Sequence, residues 1–426
     1  MGRARSSPRP IIAEIIAVGS ELLLGGRTDS NSLFITDELG SLGIEVRFKS
    51  VVGDDRADIV RALKTAVSRA EIIVMTGGLG PTVDDCTREA IADAAGRKLA
   101  RRKEAFEAMQ KRLAQWGRSP NKGQLRQALI PTGATVVSNP VGSAPGFWLS
   151  WRGTMLISLP GVPAEMAAMM RESVVPVLAS RLKGRGRMPQ PIRRQVFHTW
   201  GISEADVDVK LQGLIPKKAP VDLGLLASPL GVLVSLTTKP QSIAADEMWT
   251  SLAESVRACL HEWIFAEGPE SMEEVVGRLL LKDKRTLALA ESCTGGLIGH
   301  RLTQVPGSSA YVDRGIICYS NNAKIDLLGV PADLIERHGA VSAEVAAAMA
   351  KGVRERSGVS IGLSVTGIAG PGGATATKPV GLVYVGLNAD NGESVTREHR
   401  FHGDRSVIKQ RSSQAALDLL RRWLSK

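Results

Sequence analysis

The residues best suited to chemistry are Glu291-Ser292-Cys293-Thr294-Gly295-Gly296, where a short apolar run ends and a helical pattern begins. A serine at such a junction can act as a nucleophile, because the orphan N–H groups and dipole of a helix start favour negative charge. The backbone N–H groups of Thr294, Gly295 and Gly296 form the candidate oxyanion hole. The same residues also describe an N-capping serine followed by a packing glycine pair. Cys293 is the rival nucleophile, since thiols at helix starts are activated. The six histidines, however, fall into no triad-like or metal-binding motif that would pair with it.

Three further stretches become relevant beside Ser292. Lys324 closes Tyr319-Ser-Asn-Asn-Ala-Lys324 and can serve as general base if burial lowers its pKa. Taken alone it reads as a surface lysine. Tyr319 is placed either to donate to a substrate or to hold Lys324. Thr366-Gly367-Ile-Ala-Gly-Pro-Gly-Gly373 is a glycine-rich loop at a strand end, with the character of a phosphate or ribose cradle. Gly403-Asp-Arg405 precedes the last helix, and Arg405 can pair with a phosphate bidentately.

A second constellation lies near the start of the chain. Val18-Gly-Ser-Glu21 follows the first strand, and Thr28-Asp29-Ser-Asn31 opens a helix. Gly53-Asp54 follows the second strand, and Thr76-Gly77-Gly78-Leu-Gly-Pro-Thr82 runs into Asp84-Asp85. Ligands of open parallel sheets bind at strand ends, so acids and glycines gathered there are expected of a site. Glu21, Asp54, Asp84 and Asp85 are hard oxygen ligands suited to Mg²⁺ or a similar divalent ion bridging a diphosphate. The competing reading has Asp84 and Asp85 capping the helix that starts near Cys86.

These loops need strands and helices to hold them. Residues 11–180 alternate apolar strand-like runs with amphipathic helical spacing, which predicts a parallel sheet covered on both faces. Residues 183–191 have linker composition. Residues 192–266 read as a small α+β module without a catalytic constellation. Residues 271–424 return to the strand–helix rhythm. The expected fold is α/β: two three-layer domains with mostly parallel sheets, joined by a small α+β domain.

Composition narrows the function classes. The net charge of +11, from 54 basic against 43 acidic residues, attracts anions. The basic residues are dispersed, with 101–103 and 183–187 the densest spots, and only 4% of residues are aromatic. That argues against a nucleic-acid surface. No run approaches the roughly 18 apolar residues of a membrane span, and the basic residues 1–10 read as a frayed arm, not a signal peptide. Four scattered cysteines without a CxxC pair predict a reducing, cytoplasmic setting.

Taken together, AESCTGG, PGSS at 306–309, YSNNAK, GAVS at 339–342, SVTGIAGPGG, KPVG at 378–381 and GDR resemble the C-terminal domain of the competence/damage-inducible protein A (CinA) family. That domain is similar to nicotinamide-nucleotide amidases. The resemblance implies hydrolysis of nicotinamide mononucleotide to nicotinate mononucleotide and ammonia, without a cofactor. Ser292 would be the nucleophile and Lys324 the base, with Tyr319, Thr366, Gly367 and Arg405 positioning the substrate. The first segment resembles the same family's molybdopterin-binding-like domain through its GGLGPT loop, Asn139-Pro-Val-Gly-Ser-Ala-Pro-Gly-Phe147 and LPGVPAE at 159–165. There the resemblance implies metal-dependent hydrolysis of ADP-ribose to AMP and ribose 5-phosphate. Glu21, Asp29, Asn31, Gly77, Gly78 and Asn139 would bind, and Asp54, Asp84 and Asp85 would hold the metal. A homodimer is expected. The rival readings are a nucleotide- or pterin-binding module without hydrolysis, and an interaction protein of DNA uptake or repair.

Overall fold

The structure, a computed structural model, describes residues 10–184, 191–216, 219–238 and 245–426. The basic arm at the start and most of the linker-like stretch at 183–191 lie outside the described residues. The chain falls into two compact units, Met1–Arg193 with Thr237–Asp246, and Arg194–Leu236 with Glu247–Lys426.

The first unit is built on strands β1 (Ile11–Val18), β2 (Ile44–Val52), β3 (Ile72–Thr76), β6 (Thr135–Val137), β7 (Gly146–Trp151) and β8 (Thr154–Leu159). Their order in the sheet is β2-β1-β3-β8-β7-β6, and the first four run parallel. β4 (Leu99–Arg101) and β5 (Leu129–Pro131) form a separate ribbon. Because side chains alternate across a strand, Ile11, Ala13 and Ile15 enter one core with Ile35, Leu39 and Met169. Ile16 and Val18 enter the other core with Ile59, Leu63 and Ile91. Both faces of β1 are therefore covered, which is why β1 and β3 read as largely apolar runs.

The second unit holds two sheets. One is β10-β11-β9-β12, from β9 (Arg194–Thr199), β10 (Val221–Ser228), β11 (Gly231–Thr238) and β12 (Ile264–Glu267). The other is β14-β13-β15-β16-β17, from β13 (Leu287–Glu291), β14 (Val312–Ile317), β15 (Ile361–Gly367), β16 (Leu382–Ala389) and β17 (Ser394–Arg400). β14, β13 and β15 are parallel, and β16 and β17 extend them antiparallel. The alternation recurs here. Leu287 and Leu289 face one core while Ala288 and Ala290 face the other. The architecture is α/β, and the three parallel strands end at the ESCTGG, YSNNAK and TGIAGPGG loops. Among the described residues, no helix is long and apolar enough to cross a membrane.

Candidate functional site

β13 delivers Ser292 to the C-terminal end of the parallel strands, where its N–H donates to Val365 O at 3.0 Å. The chain then reverses through Gly295 and Gly296, whose φ values of 61° and 95° lie in the left-handed region that favours glycine. The helix Asn321–Leu328 begins just after β14 and carries Lys324 inward. Lys324 is 1% exposed, and its Nζ lies 3.1 Å from Ser292 Oγ, 2.9 Å from Cys318 O and 3.4 Å from Tyr319 O.

This arrangement accounts for every position on a neutral lysine amine. As an ammonium, Nζ donates to the Ser292 hydroxyl and to the Cys318 and Tyr319 carbonyls; a neutral amine that keeps the two carbonyl bonds turns its lone pair to the Ser292 hydroxyl. Burial favours that neutral form by lowering the Lys324 pKa from its ordinary value. Among the described residues no acidic side chain pairs with Lys324. Cys293 meets the opposite fate: burial pushes its thiol up to about 12, leaving it protonated and weakly nucleophilic.

The helix start after Ser292 is not open to an incoming anion. The buried Glu291 carboxylate accepts from the N–H groups of Gly296 at 3.0 Å, Ile298 at 3.1 Å and Gly299 at 2.8 Å. Gly295 N–H donates to Ser292 O at 3.1 Å. The expected oxyanion hole is thereby corrected: Gly295 and Gly296 have committed donors, and Thr294 N–H is left. The Thr294 hydroxyl is fully buried and has no partner among the described residues.

The remaining predicted residues divide between mouth and scaffold. Tyr319 is exposed, and its hydroxyl accepts from Arg405 at 2.7 Å, so its backbone carbonyl and not its ring holds Lys324. Arg405 also donates to Gly370 O at 2.9 Å, which brings the YSNNAK, TGIAGPGG and GDR loops together. Thr366 is buried and donates to Ala340 O at 2.8 Å, anchoring the GAVS loop. Gly367 is needed for close packing, because a Cβ there would crowd Leu382 O and Val383. Lys409, one helical turn beyond Arg405, was not among the expected residues. A Cβ on Gly295 would lie 3.6 Å from its Nζ.

In the first unit a cavity of about 320 Å³ opens at the ends of β1 and β3, lined by Glu21, Arg27, Asp29, Asn31, Thr76 and Gly161. Asp29 caps the helix Ser30–Ser41 through Ser32. Asn31 donates to Thr76 Oγ1 at 3.0 Å and Gly161 O at 2.9 Å, leaving its Oδ1 without a protein partner. Asn139 lies outside that lining. Its side chain organises its own loop, accepting from Val141 and Gly142 and donating to Ala144 O and Glu165. The buried Arg88, also unforeseen, ties the GGLG loop through Leu79 O at 2.7 Å and Gly80 O at 3.0 Å.

The three acids expected to hold a metal are dispersed. Asp54 accepts from Ser20 N–H at 2.8 Å, and Asp85 folds back onto Gly80 and Thr82. Asp84 is exposed, its carboxyl held below the ordinary range by hydrogen bonds from Thr82 and the backbone. Neither Asp84 nor Asp85 caps the helix Thr87–Ala95, whose N-cap is Cys86. Among the described residues no three histidine, cysteine, aspartate or glutamate side chains gather as a metal site. Asp54, Asp84 and Asp85 as arranged do not fit a bound divalent ion.

Gly77 and Gly78 serve the packing of this loop. At φ 107°, a Cβ on Gly77 would collide with Val18 O. Gly77→Ala is therefore expected to destabilise the first unit by about 2 kcal/mol or more, read as a lower urea midpoint at unchanged slope.

Comparison with known proteins bears on the whole chain. Residues 14–180 match the family described as "Probable molybdopterin binding domain", residues 194–266 the "Damage-inducible protein CinA KH domain", and residues 269–424 the "CinA C-terminal domain". A CinA-like protein of Geotalea uraniireducens is 42% identical over 96% of this chain and 96% of its own. The chain belongs to the CinA family. Another CinA-like protein, from Thermosynechococcus vestitus, is 42% identical over 97% of this CinA chain and 99% of its own. The crystal structure of the competence/damage inducible protein CihA from Agrobacterium tumefaciens is 42% identical, covering 37% of this chain and 98% of that one, with a TM-score of 0.36. The KH match gives the middle segment of the CinA chain a fold name that the α+β reading lacked.

Proposed function

We propose that the second unit hydrolyses the carboxamide of nicotinamide mononucleotide, with Ser292 as nucleophile and Lys324 as general base. One observation carries the reading: a buried lysine with no acidic partner, its Nζ 3.1 Å from the hydroxyl of a strand-end serine. Neutral Lys324 takes the Ser292 proton as Oγ forms its bond to the amide carbon. The tetrahedral oxyanion meets Thr294 N–H, which like the N–H of Cys293 has no protein acceptor among the described residues. The Lys324 ammonium returns its proton to the departing nitrogen as the C–N bond breaks, releasing ammonia and leaving an ester on Ser292. Water then attacks the ester and gives its proton to Lys324. The C–Oγ bond breaks, Oγ recovers the proton, and nicotinate mononucleotide leaves. Protein groups and water suffice for these steps.

The test is ammonia release from nicotinamide mononucleotide, with nicotinate mononucleotide formed in equal amount. Cys293→Ala is expected to keep activity within about threefold of the unmodified protein, because a protonated, buried thiol is not the nucleophile. A loss of about 10²-fold or more in a folded Cys293→Ala protein would instead point to a cysteine mechanism.

A second activity, hydrolysis of ADP-ribose by the first unit, is supported by the polar cavity at its strand ends. AMP formation from ADP-ribose, measured with and without Mg²⁺ and after chelation, tests both the activity and its metal requirement. All four cysteines are unpaired, which fits the expected cytoplasmic setting. Residues 194–266 contain no G-x-x-G, the loop with which KH folds clamp nucleotides.

A further inference from the structure

The second unit holds a cavity of about 240 Å³ that is lined by none of Ser292, Lys324, Tyr319 and Arg405. Its walls are mainly apolar, with Leu230 from the β10–β11 turn, Phe265 of β12 and Met272 at the start of the helix Met272–Lys282. Glu273, Arg301 and Gln414 give it one polar cluster. Arg301 is 8% exposed and uses three of its five N–H bonds, on Ser413 Oγ at 2.9 Å, Glu273 Oε2 at 2.7 Å and Gln414 Oε1 at 2.7 Å. Gln414 is 1% exposed. Its Oε1 bonds Arg301, which fixes the amide, and its Nε2 has no partner among the described residues. Glu273 Oε1 likewise accepts nothing from them. A buried donor left unmatched is costly, and native proteins meet it with water or a ligand. The cluster therefore has unused donors on Arg301 and Gln414 and an unused acceptor on Glu273.

We infer that this cavity binds a small, neutral, mainly apolar molecule that ends in a carboxamide. The amide oxygen accepts from Gln414 Nε2 and Arg301, and the amide N–H donates to Glu273 Oε1. The charges of Arg301 and Glu273 cancel, so a neutral ligand is favoured. A carboxylate would meet the charge of Glu273 and bring no N–H to its free oxygen. An apolar cavity of about 150 Å³ takes up benzene, so this larger one admits a substituted ring. The apolar walls supply the affinity, and the polar cluster sets the orientation.

The probe is para-fluorobenzamide, titrated into the full-length protein and followed by fluorine NMR, with nicotinate mononucleotide in excess to fill the Ser292 site. Saturable binding is expected, with a Kd on the order of 1 mM. Para-fluorobenzoate, charged and without an amide N–H, is expected to bind about tenfold more weakly or less. Leu230→Trp, whose larger side chain takes up cavity space, and Gln414→Leu, which removes the unmatched amide, are each expected to weaken the benzamide about tenfold or more. Leu230 is exposed on a turn, so its variant decides the matter if Gln414→Leu does not fold. Ser292→Ala is expected to leave this binding unchanged. No saturable binding, or unchanged binding in a folded Leu230→Trp protein, would overturn the inference. Equal affinity for the benzoate would overturn the carboxamide assignment. Neither result touches the amidase reading, which is tested by ammonia release.

Discussion

Lys324→Ala is expected to lower kcat for ammonia release by about 10³-fold or more, and Ser292→Ala by at least as much. The double variant is expected to be no worse than the poorer single one, because nucleophile and base act as a unit and their losses do not add. The dependence on pH separates a base from a merely structural lysine. The working form of Lys324 is the neutral amine, and burial lowers its pKa below the ordinary value of about 10.4. Activity should therefore rise with pH through that lowered pKa and level off above it. It should be lost as pH falls and the amine gains its proton. Lys324→Ala should lose this rising limb altogether, and added methylamine should restore part of the rate through its neutral form. A folded Lys324→Ala protein that kept both its rate and its pH limb would remove Lys324 from the mechanism. The Cys318 and Tyr319 carbonyls lose their donor in this variant. A melting curve must therefore accompany the kinetics.

The dyad was legible because each partner sits at a recognisable strand end, and the resemblance put the motifs in order. The strands buried on both faces were equally open to reading. Ile11–Val18 is an apolar run broken only by Glu14, with the bounds expected of it. Ser394–Arg400 gave no such signal, since its sequence, SVTREHR, is polar and largely exposed at the sheet's edge. Val221–Ser228 was hidden by Gly224 and an indistinct alternation. The acids of the first unit misled for a different reason. Spacing shows that Asp54, Asp84 and Asp85 follow strands, but it does not show what their oxygens bond. Backbone N–H groups took Asp54 and Asp85 before any metal could. The local clue was Asp85 placed three residues after Thr82, a spacing that favours a side chain folding back onto its own loop.

The same competition between resident and incoming anions makes Glu291 the second residue with a large expected effect. The helix start was read as a place for a substrate's negative charge, and the sequence supplies that charge itself, one residue before Ser292. Glu291 is 2% exposed, and its two oxygens satisfy three N–H groups of the turn and first helical residues. Its own carbonyl accepts from Cys318 N–H at 2.9 Å, and the Cys318 carbonyl accepts from Lys324. One residue thus fixes the turn carrying Ser292 and the carbonyl that orients the base. Glu291→Ala would leave three donors unsatisfied, at roughly 1–3 kcal/mol each where they are buried, for a total of about 3 kcal/mol or more. In a unit of this size that corresponds to a fall in Tm of roughly 6–12 °C. Glu291→Gln should cost less, because an amide oxygen replaces one acceptor while its NH₂ group faces an N–H. Both variants should lose about 10²-fold in kcat through misplacement of Ser292. The rising pH limb set by Lys324 should persist in both, since the base itself is untouched. A Glu291→Gln protein with full activity and an unchanged Tm would show that the turn holds without its carboxylate. The helix start would then again be open as an anion site.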